Sequence, residues 1–136
     1  MTDGSGDQLT GTISFPYGTT SQLPLIVLIH GLGGCEDSTY MLQTSDYFLG
    51  HGYSVLRLNL RGVKPAQAPS RHYYHAGRDQ DLESVFKELN SMQFIPNGVI
   101  IIGFSLGGNI LLKLLGRPET EYPIRAALSV SAPIDL

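Results

Sequence analysis

The sequence predicts an α/β fold, a mostly parallel sheet with helices on both faces. Three observations carry that expectation. Apolar runs of strand length alternate along the chain with stretches of helical periodicity. The runs at 23–30 and 99–104 are almost continuously apolar, as expected of parallel strands covered on both sides. Glycine-rich turns, Gly31-Leu32-Gly33-Gly34 and Gly103-Phe104-Ser105-Leu106-Gly107, stand where those strands give way to the next segment. Strand–helix–strand units of this kind build a parallel sheet.

Each element follows from its local pattern. Residues 9–15 read as a short edge strand, with Thr10, Thr12 and Ser14 alternating against Leu9, Gly11, Ile13 and Phe15. Pro16-Tyr17-Gly18 breaks it. Leu23 to His30 is a buried strand. A helix from near Ser38 to Leu49 takes Asp37 or Ser38 as N-cap and ends at Gly50 or Gly52. Tyr53 to Leu60 is the next strand, and a polar loop runs from Arg61 to about Gly77. Asp79 to Met92 is an amphipathic helix, because Leu82, Val85, Phe86 and Leu89 recur at i, i+3, i+4 and i+7. Pro96-Asn97-Gly98 turns the chain into the strand Val99–Phe104. Leu106 to Leu115 is a helix that Gly116 and Pro118 end. Ile124 to Val130 is the last strand. Residues 1–136 form one domain, and because its alternation stops just after a strand, a truncated one is expected.

Composition excludes several functions. The formal net charge of −3 offers no basic footprint for nucleic acid. No run of like charge suggests a membrane-surface patch. The longest apolar runs are too short to span a bilayer. The single cysteine, Cys35, can form no internal disulfide, and the polar start Met1-Thr2-Asp3-Gly4 has no apolar signal region. A cytoplasmic protein is expected.

The chemistry concentrates at Ser105. Its G-x-S-x-G pattern lies between a strand and a helix, the context of a nucleophile elbow. Gly103 and Gly107 let the chain turn sharply there. A serine hydroxyl needs a base to take its proton, and the oxyanion that forms needs backbone N–H donors. The donors expected here are the N–H of Leu106, just after the serine, and that of Leu32 in the loop His30-Gly31-Leu32-Gly33-Gly34. His30 and Gly31 support that turn, with His30 bracing the loop rather than transferring protons. The plainer alternative for each segment is a glycine-rich turn whose serine only caps a helix.

Other chemistries fail at defining residues. A dinucleotide fingerprint would need glycine where Glu36 stands, and a P-loop would need lysine where Asn109 stands. His72 and His75 are three apart, but no nearby Cys or Glu completes a metal set, so neither metal nor cofactor is expected. Asp135 follows the last strand in the order Ser, then Asp, then His, yet no histidine comes after it. Capping a following helix is its plainer role.

Together these stretches resemble the YheT-like branch of the α/β-hydrolases, which includes eukaryotic α/β-hydrolase-domain lipases. The matching segments are His30-Gly31-Leu32-Gly33-Gly34 with Asp37-Ser38, and Leu56-Arg57-Leu58-Asn59-Leu60-Arg61-Gly62. Tyr74-His75-Ala76-Gly77 with Asp81-Leu82 follows, then Gly103 to Asn109, and finally Ser129 to Leu136. The resemblance implies part of an α/β-hydrolase fold and a carboxylic-ester hydrolase acting on small-molecule or lipid esters, with Ser105 as nucleophile. It implies too that the acid and histidine lie beyond this stretch, leaving Asp135 structural. The alternative is a catalytically inert fragment or pseudoenzyme. An uncovered sheet edge is expected to favour self-association.

Overall fold

The computed structural model describes residues 4–17, 21–63, 70–118 and 122–135. The opening Met1-Thr2-Asp3, Gly18 of the first turn, residues 64–69 of the polar loop, and Leu136 lie outside the described residues. In chain order the elements are β1 (Thr10–Ser14), β2 (Leu25–Ile29), α1 (Thr39–Gly50), β3 (Val55–Asn59), α2 (Gln80–Ser91), β4 (Val99–Phe104), α3 (Leu106–Leu115) and β5 (Ile124–Val130).

The strands form one sheet in the order β1-β3-β2-β4-β5. β3, β2, β4 and β5 run parallel, and β1 pairs antiparallel with β3 at the edge. β2 is the central strand, and all five of its residues are buried, which explains its unbroken apolar sequence. Alternate residues supply two cores. Leu25, Val27 and Ile29 pack with Leu82, Phe86 and Leu89 of α2 and with Ile110, Leu111 and Leu114 of α3. Ile26 and Leu28 pack with Met41 of α1 and Ile102 of β4 on the opposite face. The expected helices therefore cover both faces.

Element ends moved by one or two residues. β2 starts after Pro24, which has no N–H for a ladder, and β3 omits Tyr53, Ser54 and Leu60. Ser38 is the N-cap of α1, but its hydroxyl accepts the N–H of Cys35 at 3.0 Å and makes no capping bond to the helix. His51 is the C-cap, and Gly52 follows at φ 84°. Arg61, at the head of the polar loop after β3, is fully buried, and Asp7 of the acidic start is buried beside it.

The topology sets a crevice. From β2 the chain moves to β3 on one side, then returns through α2 to β4 on the other. The carboxyl ends of β2 and β4 flank this switch, where open α/β sheets bind ligands.

Candidate active site

Register brings the two glycine-rich segments together. β2 pairs with β4 so that Ile29 lies opposite Gly103. His30–Gly34 therefore leaves the sheet beside Phe104 and Ser105. A Cβ on Gly31 would lie 3.0 Å from the Ser105 Cβ and 3.2 Å from the Phe104 carbonyl oxygen. Only glycine lets the loop approach the serine this closely.

Ser105 sits between β4 and α3 with φ 49° and ψ −119°. That conformation costs a non-glycine residue about 1–3 kcal/mol. Its N–H donates to the Val130 carbonyl at 2.8 Å, and its carbonyl accepts from Asn109 N–H at 3.1 Å. The hydroxyl makes no capping bond, and the residue is exposed. The helix-capping alternative therefore does not account for this side chain. The turn is held by close backbone approach: a Cβ on Gly107 would meet the His30 oxygen at 2.5 Å, and one on Gly103 the Gly107 oxygen at 2.6 Å.

The facing loop is fixed by side chains from three other segments. The Tyr40 hydroxyl accepts the Gly31 N–H at 3.0 Å, and the Tyr74 hydroxyl accepts the Gly33 N–H at 2.7 Å. Gly34 N–H donates to the Gly31 oxygen at 3.1 Å. The Asn59 side chain accepts the Glu36 N–H at 2.7 Å, fixing the loop's exit. Among the described residues, Leu32 N–H has no recorded acceptor, and Leu106, first in α3, has no intrahelical one by position.

His30 braces this loop. Its Nε2 accepts the Leu60 N–H at 3.0 Å, so the ring proton is assigned to Nδ1, which donates to the Gly31 oxygen at 2.7 Å. Burial pushes its pKa below the ordinary 6.5, against a smaller raising effect of the Gly31 bond. Both nitrogens are engaged, so His30 is a neutral strut. The other histidines are also occupied. His51 Nδ1 donates to the Tyr47 oxygen, His72 pairs with Asp7, and His75 Nδ1 accepts the Gly77 N–H. None of these bonds involves Ser105. Asp135 is exposed, and among the described residues it has no recorded hydrogen bond or ion pair. Asn109 donates from Nδ2 to the Pro133 oxygen at 2.8 Å and ties the segment leading to Asp135 onto α3.

The sequence reading missed a buried ionic cluster behind the site. Arg61 grips Asp81 with two bonds, Nε to Oδ2 at 3.0 Å and Nη2 to Oδ1 at 2.6 Å. Its Nη1 donates to Asp7 Oδ2 at 3.0 Å. The Asp7 carboxyl is lowered from 3.8 to about 2, first by the Arg71 N–H, then by His72 and Arg61, against burial. These partners are 20 and 54 residues from Arg61, so no local pattern marks them. The signals were a charged residue soon after a buried strand and the place of Arg61 and Asp81 in the stretches that carry the family resemblance. A cavity of about 570 Å³ lies between β1, β3 and α2, lined by Leu9, Leu56 and Val85 among others, and Ser105 does not border it.

Comparison with known proteins agrees with this fold. Residues 24–136 match the family model of the alpha/beta hydrolase fold. The chain is 31% identical to YheT of Escherichia coli (strain K12) over 113 residues, covering 83% of this chain and 33% of that protein. It is 30% identical to phospholipase ABHD3 of Homo sapiens over 115 residues, covering 85% and 28%. The chain thus spans a third or less of these relatives. Among solved structures, Est1E from Butyrivibrio proteoclasticus with bound ferulic acid superposes with a TM-score of 0.78 at 18% identity, covering 96% of this chain and 51% of that one. With its parallel sheet, its switch-point crevice and a family match over most of its length, the chain belongs to the alpha/beta hydrolase fold family.

Proposed function

We propose that residues 1–136 form a single domain carrying the nucleophile and oxyanion half of a serine carboxylic-ester hydrolase. The observation that carries this reading is the Ser105 backbone at φ 49° and ψ −119° with its hydroxyl exposed against Gly31. Ser105 Oγ attacks the ester carbonyl carbon while a base takes its proton, and the C=O electrons move onto oxygen. The N–H groups of Leu32 and Leu106 hold that oxyanion. Collapse expels the alcohol with a proton and leaves an acyl-serine, which water then cleaves. His30, Gly31, Gly103 and Gly107 hold the turn, and Asp135 has no part in the step. The substrate class is a small-molecule or lipid ester, in keeping with the phospholipase named among the relatives. The chemistry needs no cofactor. A cytoplasmic setting suits the single cysteine, and among the described residues no helix is long and apolar enough to cross a membrane.

The second reading is a fold without turnover. It is favoured by the four histidines, each bonded elsewhere. Without its base, a serine triad loses on the order of a millionfold in rate. The isolated chain is therefore expected to hydrolyse p-nitrophenyl acetate no faster than its Ser105→Ala variant. Exogenous imidazole can stand in as base, because Ser105 is exposed. With imidazole, a fluorophosphonate probe is expected to add to Ser105, seen by intact mass, and not to Ser105→Ala. An equal adduct in both proteins, or none in either, would sink the nucleophile assignment.

A further inference from the structure

We infer that Tyr74, assisted by Tyr40, is a positioning residue that presets the oxyanion loop by taking up the two N–H groups on either side of Leu32. The inference rests on the serine-hydrolase reading for its catalytic meaning, but its geometry stands alone. A loop of four residues with three glycines has many backbone conformations open to it. Two tyrosine hydroxyls, from α1 and from the segment after β3, remove that freedom. Gly31 N–H points to Tyr40 and Gly33 N–H to Tyr74. With both neighbours taken, Leu32 N–H is the one left to face an oxyanion between the loop and Ser105.

The tyrosines are themselves held. The Tyr74 ring meets His30 edge-on, with centroids 5.7 Å apart, and its N–H donates to the Arg61 oxygen at 3.0 Å. Arg61 is locked by Asp81. A chain of bonds thus runs from the buried guanidinium through the Tyr74 backbone and hydroxyl to Gly33. Tyr40 packs on Phe104, the residue before the nucleophile, at 4.9 Å between centroids. A Cβ on Gly34 would lie 2.7 Å from the Tyr40 hydroxyl oxygen, so the loop closes against that oxygen only because residue 34 is glycine. The same ring therefore contacts both sides of the crevice. Preorganised donors avoid reorganisation at the moment of reaction, and that is where oxyanion sites draw their advantage.

The test is Tyr74→Phe, which keeps the ring on His30 and deletes only the acceptor. Two readouts are taken on the full chain. Amide hydrogen exchange by NMR is expected to show faster exchange at Gly33 in the variant, with core amides of β2 unchanged. Imidazole-supported phosphonylation of Ser105 is expected to slow about tenfold to a hundredfold, less than the ~10²–10³ lost with a whole oxyanion donor. Tyr73→Phe, a neighbour whose ring is exposed, should change neither. Unchanged Gly33 exchange, or a phosphonylation rate equal to the parent's, would overturn the inference. If the parent itself forms no Ser105 adduct, the serine-hydrolase reading fails instead, and the Gly33 amide alone then decides whether Tyr74 pins the loop.

Discussion

Replacing Arg61 with Met tests whether the buried ionic cluster behind the site holds this half of the fold together. The guanidinium is fully buried, and the Asp81 carboxylate it grips is 4% exposed. Methionine fills similar space without charge, so Arg61→Met strips the buried Asp81 of the cation that grips it. Breaking one side of a buried pair costs about 3–5 kcal/mol. Unfolding entropy near 2.1 cal/mol/K per residue makes 1 kcal/mol worth about 3.5 °C for a chain of 136 residues. The expected fall in Tm is therefore about 10–17 °C. Far-ultraviolet circular dichroism melts at neutral pH and one protein concentration would measure it. Adding Asp81→Asn and Asp7→Asn to Arg61→Met should restore most of the loss, because removing all the charges leaves nothing stranded. A single variant within about 3 °C of the parent, or a triple variant no better than the single, would refute the reasoning.

Four further outcomes are expected. Gly107→Ala places a Cβ 2.5 Å from the His30 oxygen and 2.7 Å from the Ile29 oxygen, so α3 must move off β2 at a cost of about 1–3 kcal/mol. Gly50→Ala, which meets nothing within 4 Å, should leave the urea midpoint unchanged or slightly raised. Asp7 ionises in the fold at about 2 and ordinarily at 3.8. Its stabilisation is thus complete above the ordinary value and fades as pH falls through about 2, and the midpoint gap between parent and Asp7→Asn should close over that window. His30 acts in the same sense at higher pH: its pKa lies below 6.5 in the fold, so the unfolded chain takes up the proton first and stability falls as pH drops below that value. His30→Asn should flatten that slope. Finally, β5 exposes Ala126, Ala127 and 55% of Leu128, beside Leu112 and Leu115 of α3. Light scattering is expected to give a mass above that of a monomer, and Leu128→Lys to lower it. A parent that is already monomeric would contradict this.

Much of the frame was legible from local pattern. β4 and α3 begin and end where apolar run and elbow motif place them, because a buried strand and a following helix write their own periods into the residues. Gly31 and Gly107 were recognisable as turn glycines, but not what they clear: one makes room for Ser105, the other for the backbone of β2. The start of β2 shifted past Pro24, which has no N–H for a ladder. Ser105, Leu32 and Leu106 are proposed for the site because motif spacing marks them.

The sequence by itself determined the layered α/β architecture, the burial of its most apolar strand on both faces, and the strand-to-helix turn that bears Ser105. Each of these is an effect of burial or of neighbouring residues, and so is recorded in consecutive positions. Only the tertiary structure decided that β1 returns antiparallel at the edge, that Arg61 lies buried between Asp7 and Asp81, and that Tyr40 and Tyr74 grip the loop facing the serine. Those contacts join residues from 9 to 54 positions apart. They depend on register and on the crossing of β4 past β2, which no local pattern encodes.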